Sequence, residues 1–210
     1  MDFELTQDQQ IFYDSVKRYA VNELADGAVD RANSDGYLWD IAARFAEMGL
    51  LGITIPESKG GIGGSLTDAV LAIQAIAEVC PRSADVVQAG NFGAIRTFAE
   101  YANADQLARI LPDLLAGKGV MSVGMSEPNA GSSVTELKTS ATPDGDDFLV
   151  NGSKVFGTHS GDAEVFLIYL RFGPGTEGIG SALIEKGTAG FEIGPGYRYM
   201  NGESWSPLYF

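Results

Sequence analysis

"VMSVGMSEPNAGSS", Val120–Ser133, marks the point where the chain changes character. Its first four residues, Val120–Val123, form an apolar run that reads as a strand. Gly124–Ser133 then crowds Gly, Ser, Asn and Pro around one acid, Glu127. Two readings fit. The stretch is an ordinary turn whose Ser and Asn side chains bond locally. Or its backbone comes close to a ligand, with N–H groups and hydroxyls facing a flat polar group.

Upstream of Gly119 the pattern is helical. Thr6 and Gln9 have capping-box spacing, and Phe12, Val16 and Tyr19 follow as an apolar stripe. A second helix is expected over Leu38–Met48, after which "GLLGITIP" exits toward Pro56. Gly60, Gly61, Gly63 and Gly64 flank Ile62 in "ESKGGIGGS", and Ser65 is placed to cap the next helix. That helix, "LTDAVLAIQAIAEVC", is apolar on nearly every side, so burial is expected, and Pro81 stops it. Two more helices are expected, Ala84–Tyr101 and Asp105–Ala116, the latter kinked or broken at Pro112.

Downstream the signal turns to short strands. "FLVNGSKVFG" reads as a hairpin around Asn151-Gly152. "EVFLIYL" is a buried strand, and "SALIEK", "GFEIG" and "PLYF" continue the pattern. "ATPDGDDF" and "FGPGTEGIG" read as loops. The fold class is therefore α+β. An all-helical domain over residues 1–119 is followed by a small β-barrel or sandwich domain over residues 120–210. The chain stops inside the apolar run "SPLYF", as though the second domain were cut.

Composition narrows the functions. Among 210 residues, 45% are hydrophobic and 10% aromatic, enough for a globular core. A net charge of −14 excludes nucleic acid and anionic membrane surfaces as partners, although local donors can still hold a small anion. The one cysteine, Cys80, permits no intrachain disulfide and fits the cytoplasm. The polar opening "MDFELTQDQQ" is no signal peptide, and no apolar run is long enough to span a bilayer.

A second stretch with chemical potential is "VFGTHSG", Val155–Gly161. Phe156 supplies an aromatic wall and Thr158 a hydroxyl beside it. His159, the only histidine, reads as a surface residue of a loop. No metal-ligand spacing is present. No strand leads into "GGIGG", so a dinucleotide fingerprint is unsupported.

Four blocks now stand in order: "IPESKGGIGGSLTDAVLAIQAIA", "SVGMSEPNAGSSVTELKTSA", "FLVNGSKVFGTHSGDAEVFLIYL" and "ALIEKGTAGFEIG". Together they resemble the acyl-CoA dehydrogenase family over essentially the whole chain. The resemblance implies FAD as cofactor, with the loop after the first strand lying along its isoalloxazine ring. Val123–Ser132 would be the first flavin segment, with Val123, Met125 and Ser126 near the ring and Ser132 where flavin and acyl-CoA substrate meet. Phe156, Gly157 and Thr158 would be the second. The family more often has Thr at position 126, Asp at 133, Trp-Ile at 156–157 and Asn-Gly at 159–160.

The implied reaction is α,β-dehydrogenation of an acyl-CoA thioester. The catalytic carboxylate would come from a C-terminal helical domain lying outside this chain, and Glu127 is read as structural. An electron-transfer flavoprotein is the implied acceptor, and a homo- or hetero-oligomer the implied assembly. The alternatives are different flavin chemistry on a thioester, or a non-catalytic partner subunit that keeps the fold.

Overall fold

The computed structural model describes residues 4–210. The first three residues of the polar opening lie outside the described residues. The chain forms two compact units, one ending at Gly119 and also taking in Met200–Glu203, the other holding Val120–Tyr199 and Ser204–Phe210.

The first unit is helical. Helix α1, Gln7–Glu23, starts with the expected capping box between Thr6 and Gln9. A short helix α2, Ala28–Asn33, follows, and α3, Trp39–Glu47, stands where the apolar spacing places it. Helix α4, Leu66–Ala77, is capped by Ser65, whose side chain and backbone pair with Asp68. Asp68 also accepts a hydrogen bond from Gln9 at 3.3 Å, so the starts of α1 and α4 are tied together. The expected full burial of α4 is only half realised. Ala69, Leu71, Ala72, Ala75 and Ile76 are buried, whereas Leu66 and Val70 face solvent. Phe45 on α3 is fully buried and meets Tyr19 of α1 edge-on at 6.3 Å, each such ring adding roughly 1.5–3 kcal/mol by burial.

The expected helix Ala84–Tyr101 is two helices, α5 (Pro81–Ala89) and α6 (Ala94–Tyr101). Pro81 both ends one helix and begins the next, since its missing N–H costs nothing in a first turn. The break lies at Gly93, whose φ of 62° and ψ of −122° suit only glycine. Helix α7, Ala104–Leu115, runs through Pro112 without breaking. The buried side chains Ile110, Leu111 and Leu114 flank the proline and hold both turns against the core.

The loop "GGIGG" has a packing role. Its N–H groups bond back to an earlier segment: Gly61 to Pro56 at 3.1 Å, Ile62 to Gly52 at 2.9 Å, Gly63 to Ile55 at 2.8 Å and Gly64 to Ile53 at 2.7 Å. Buried Asn91 anchors the same segment by donating to the carbonyls of Leu50 and Val87, at 2.8 Å each.

The second unit holds nine strands in two sheets. Strands β1 (Met121–Gly124), β2 (Ser140–Asp144), β3 (Asp147–Asn151), β5 (Val165–Arg171) and β6 (Ile179–Glu185) make one; β4 (Ser153–Thr158), β7 (Glu192–Ile193), β8 (Tyr197–Arg198) and β9 (Ser204–Tyr209) make the other. The two-sheet alternative is therefore the one adopted. Gly124 lies where they meet: a Cβ there would reach Ile168 at 2.6 Å, Lys154 at 3.2 Å and Leu208 at 3.3 Å.

The expected hairpin at Asn151-Gly152 is overturned. Strand β3 pairs with β2 and β4 pairs with β9, so the chain changes sheets at Gly152. The glycine is needed for close passage, since a Cβ there would lie 2.7 Å from Thr139 Cα. The true hairpin is β2–β3, closed by Gly145-Asp146, in the stretch "ATPDGDDF" read as a loop.

Gly61→Ala tests the loop packing. Its Cβ would lie 2.2 Å from the Ile55 carbonyl oxygen, and such overpacking against backbone costs about 1–3 kcal/mol. Urea unfolding should show that loss. Gly161→Ala, where nothing lies within 4 Å, should stay within ~0.5 kcal/mol of the parent.

Candidate functional site

The residues that sequence reasoning singled out lie in the β unit, on the loop after β1 and on β4. Two direct bonds hold the segments side by side. Val155 N–H donates to the Ser126 carbonyl at 2.8 Å, and Lys154 Nζ to the Met125 carbonyl at 3.1 Å. The structure thus brings Met125 and Ser126 beside the β4 residues that lead to Phe156, Gly157 and Thr158. Val123 is half-buried in β1, opposite Leu167. Ser132 is exposed farther along the loop, beyond the paired backbone bonds of Glu127 and Ala130, at 3.0 and 3.1 Å.

Glu127 holds this arrangement. Its carboxylate is 9% exposed and accepts from the backbone N–H groups of Lys138 at 2.7 Å and Thr139 at 2.8 Å. It also accepts from Lys154 Nζ at 2.9 Å. Arg171 positions the two backbone donors by bonding the carbonyls of Leu137 at 2.9 Å and Thr135 at 2.7 Å. Burial alone would raise the Glu127 pKa. The hydrogen bonds from Thr139, Lys138 and Lys154 outweigh it and bring the pKa down to about 2. Burial draws the Lys154 ammonium below the usual lysine range, and Glu127 opposes that shift. A carboxylate held by three donors across its two oxygens serves as a structural acceptor.

Strand β4 carries a local irregularity. Its register with β9 shifts between Lys154 and Gly157, a bulge that breaks the alternation of side chains. Within it Phe156 has a φ of 59°, a left-handed conformation rare for a bulky residue. Its ring is 52% exposed. Gly157 lies against β9, where a Cβ would come 2.9 Å from the Ser206 carbonyl oxygen and 3.1 Å from Leu208. A larger residue does not fit there, which accounts for the small residue in this chain. Thr158 Oγ1 lies 3.4 Å from the Tyr199 hydroxyl.

His159, expected on the surface, is 4% exposed. Its φ of 60° and the 3.0 Å bond from its N–H to the Ser204 carbonyl turn it inward. Sequence reasoning also missed Trp205, Tyr197 and Tyr199, whose rings gather beside Phe156. Their signal lay in the aromatic content of "YRYMNGESWSPLYF", but only its last four residues read as a strand.

Glu127→Gln removes the charge opposite buried Lys154. Breaking such a pair costs about 3–5 kcal/mol, so the unfolding midpoint at neutral pH should fall accordingly. The folded pKa lies below the ordinary value of about 4. Glu127 therefore stabilises the fold fully above that value, and its contribution is lost as pH falls through about 2. The gap between parent and variant should narrow over that acidic window.

Comparison with known proteins adds the family. The acyl-CoA dehydrogenase N-terminal domain matches residues 6–118 and the middle domain residues 122–210. A short-chain-specific acyl-CoA dehydrogenase from Clostridium acetobutylicum is 30% identical over 196 residues, 92% of this chain and 52% of the relative. A 3-sulfinopropanoyl-CoA desulfinase from Advenella mimigardefordensis is 32% identical over 197 residues, 91% of this chain and 49% of the relative. The chain thus spans about half the length of these curated relatives. A solved FAD complex of PigA, 25% identical, matches with a TM-score of 0.88 over 100% of this chain and 56% of that one. Two successive domain matches, together covering nearly the whole chain, place this protein in the acyl-CoA dehydrogenase family.

Proposed function

We propose that this chain forms the flavin-holding part of an FAD-dependent enzyme that dehydrogenates an acyl-CoA thioester between its α and β carbons. The observation that carries the reading is the joining of two separate segments, Met125–Glu127 and Lys154–Thr158, by the buried Glu127–Lys154 pair. The residues fit an isoalloxazine ring. Phe156 offers an exposed ring face from a conformation that lifts it out of the strand. Met125 on the adjoining segment is 36% exposed. Ser126 and Thr158 supply hydroxyls for the polar edge, and Val123 and Gly157 belong to the same two segments.

The bound flavin supplies the acceptor for the hydride that leaves the β-carbon. Thr158 would offer its hydroxyl as a donor to the flavin's polar edge. Phe156 and Met125 exclude water from the ring face. Ser132 would contribute where cofactor and acyl-CoA meet. In this reading the base for the α-proton comes from outside these 210 residues, and Glu127, held by three donor groups, has a structural role. A cytoplasmic location, an electron-transfer flavoprotein as acceptor and an oligomeric assembly complete the proposal. A second reading, different chemistry on a CoA thioester, is favoured by the likeness to the desulfinase. Product analysis over an acyl-CoA panel separates the two: enoyl-CoA supports dehydrogenation, and release of sulfite from a sulfinated thioester supports the second.

Titration of the apo-chain with FAD should give a bound yellow species. Phe156→Ala should weaken binding by on the order of tenfold, the loss of ~1.5 kcal/mol of aromatic contact. An unchanged affinity and flavin spectrum would remove Phe156 from the site.

Anaerobic mixing of the FAD-loaded 210-residue chain with acyl-CoA should leave the flavin unbleached on the timescale of turnover. Loss of a positioned proton acceptor alone slows such a step by ~10²–10⁴-fold. Bleaching should appear when the chain is extended to the length of its relatives. Rapid stoichiometric bleaching by the short chain alone would place the base within it.

A further inference from the structure

Strand pairing puts an aromatic row beside the proposed flavin residues. Trp205 on β9 stands directly opposite Thr158 of β4 and directly opposite Tyr197 of β8. Directly opposed residues share a sheet face, so Thr158, Trp205 and Tyr197 lie on one face. The rings are in contact. Tyr197 stacks on Trp205 at 4.7 Å and 24°, and Phe156 leans on Trp205 from the other strand at 4.8 Å and 57°. Tyr199 lies 6.1 Å from the same indole and reaches the Thr158 hydroxyl. Phe156 and Tyr197 are 52% and 50% exposed. A stacked row with half its outer rings in water is unusual for packing alone, because apolar rings gain most when fully buried. The bulge and the positive φ at Phe156 add conformational cost to keep one member of the row turned out.

We propose that Trp205 is a cofactor-contacting residue, and that Phe156, Trp205 and Tyr197 together form one aromatic wall for the flat heteroaromatic ring of the flavin. This inference rests on the flavin reading above. The indole extends the aromatic surface of Phe156 across the strand pair. The Tyr199 hydroxyl lies 3.4 Å from Thr158 Oγ1 at the edge of that wall.

The chain has two tryptophans, Trp39 and Trp205, so Trp39→Phe leaves Trp205 as the only indole reporter. FAD is titrated into this apo-protein while indole emission, its lifetime and the visible circular dichroism of the flavin are followed. Contact predicts loss of most of the emission amplitude with the residual lifetime unchanged. Trp205→Ala in the otherwise native chain should weaken FAD binding by about fivefold, through lost aromatic contact along the row, and change the flavin's visible circular dichroism. Trp205→Phe should recover most of the affinity.

A shortened lifetime with surviving amplitude would mean energy transfer over a distance. That result, or unchanged affinity and dichroism in Trp205→Ala, would overturn the wall while leaving FAD binding intact. Failure of the parent chain to take up FAD would overturn the flavin reading, and the wall with it. If Trp205→Ala does not fold, the emission and lifetime result of the Trp39→Phe protein decides.

Discussion

A buried ion pair between Glu127 and Lys154 is the constraint around which the β unit is arranged. Lys154 has no exposed surface, and its ammonium can be kept charged there only because Glu127 and the Met125 carbonyl receive it. Glu127 in turn is satisfied by two backbone N–H groups that Arg171 holds in place. Each partner comes from a different stretch of chain. The loop after β1, the start of β4 and the segment before β2 are therefore fixed by one polar network in an apolar surrounding. The lower local dielectric strengthens each bond of the network and makes a missing partner costly.

From this network the irregular features of the site follow. Lys154 must point inward at one end of β4, and Gly157 must lie flat against Ser206 and Leu208 at the other. The bulge takes up the mismatch between them, and Phe156 is the residue it turns outward. The small residues of Gly124–Ser133 serve the same geometry. Gly124 admits side chains from both sheets, and the Glu127–Ala130 pairing closes the turn tightly enough to aim the carboxylate inward.

Much of the helical unit was legible in the sequence, because its signals are local. The Thr6–Gln9 box and the cap at Ser65 placed two helix starts, and a helix was expected where α3 stands. The misplaced boundaries came from tertiary effects: Gly93 in a glycine-only conformation split one expected helix, and buried neighbours carried α7 through Pro112. In the β unit most strands were readable, β2 and β8 were not, and the strand partners were not. Asn151-Gly152 has the composition of a hairpin turn, yet Gly152 is there to pass Thr139, and the strands on either side belong to different sheets.

The sequence by itself determined the α+β class, the change of character at Gly119, and the four blocks whose order carries the family likeness. These are properties of short stretches and of their sequence order. Only the tertiary structure decided that Glu127 is bound by three donor groups, that His159 is buried, and that Trp205 and Tyr197 join Phe156 in one aromatic row. Those facts depend on pairings between residues that lie on separate strands and loops. Strand register, and no local pattern, sets which of them meet.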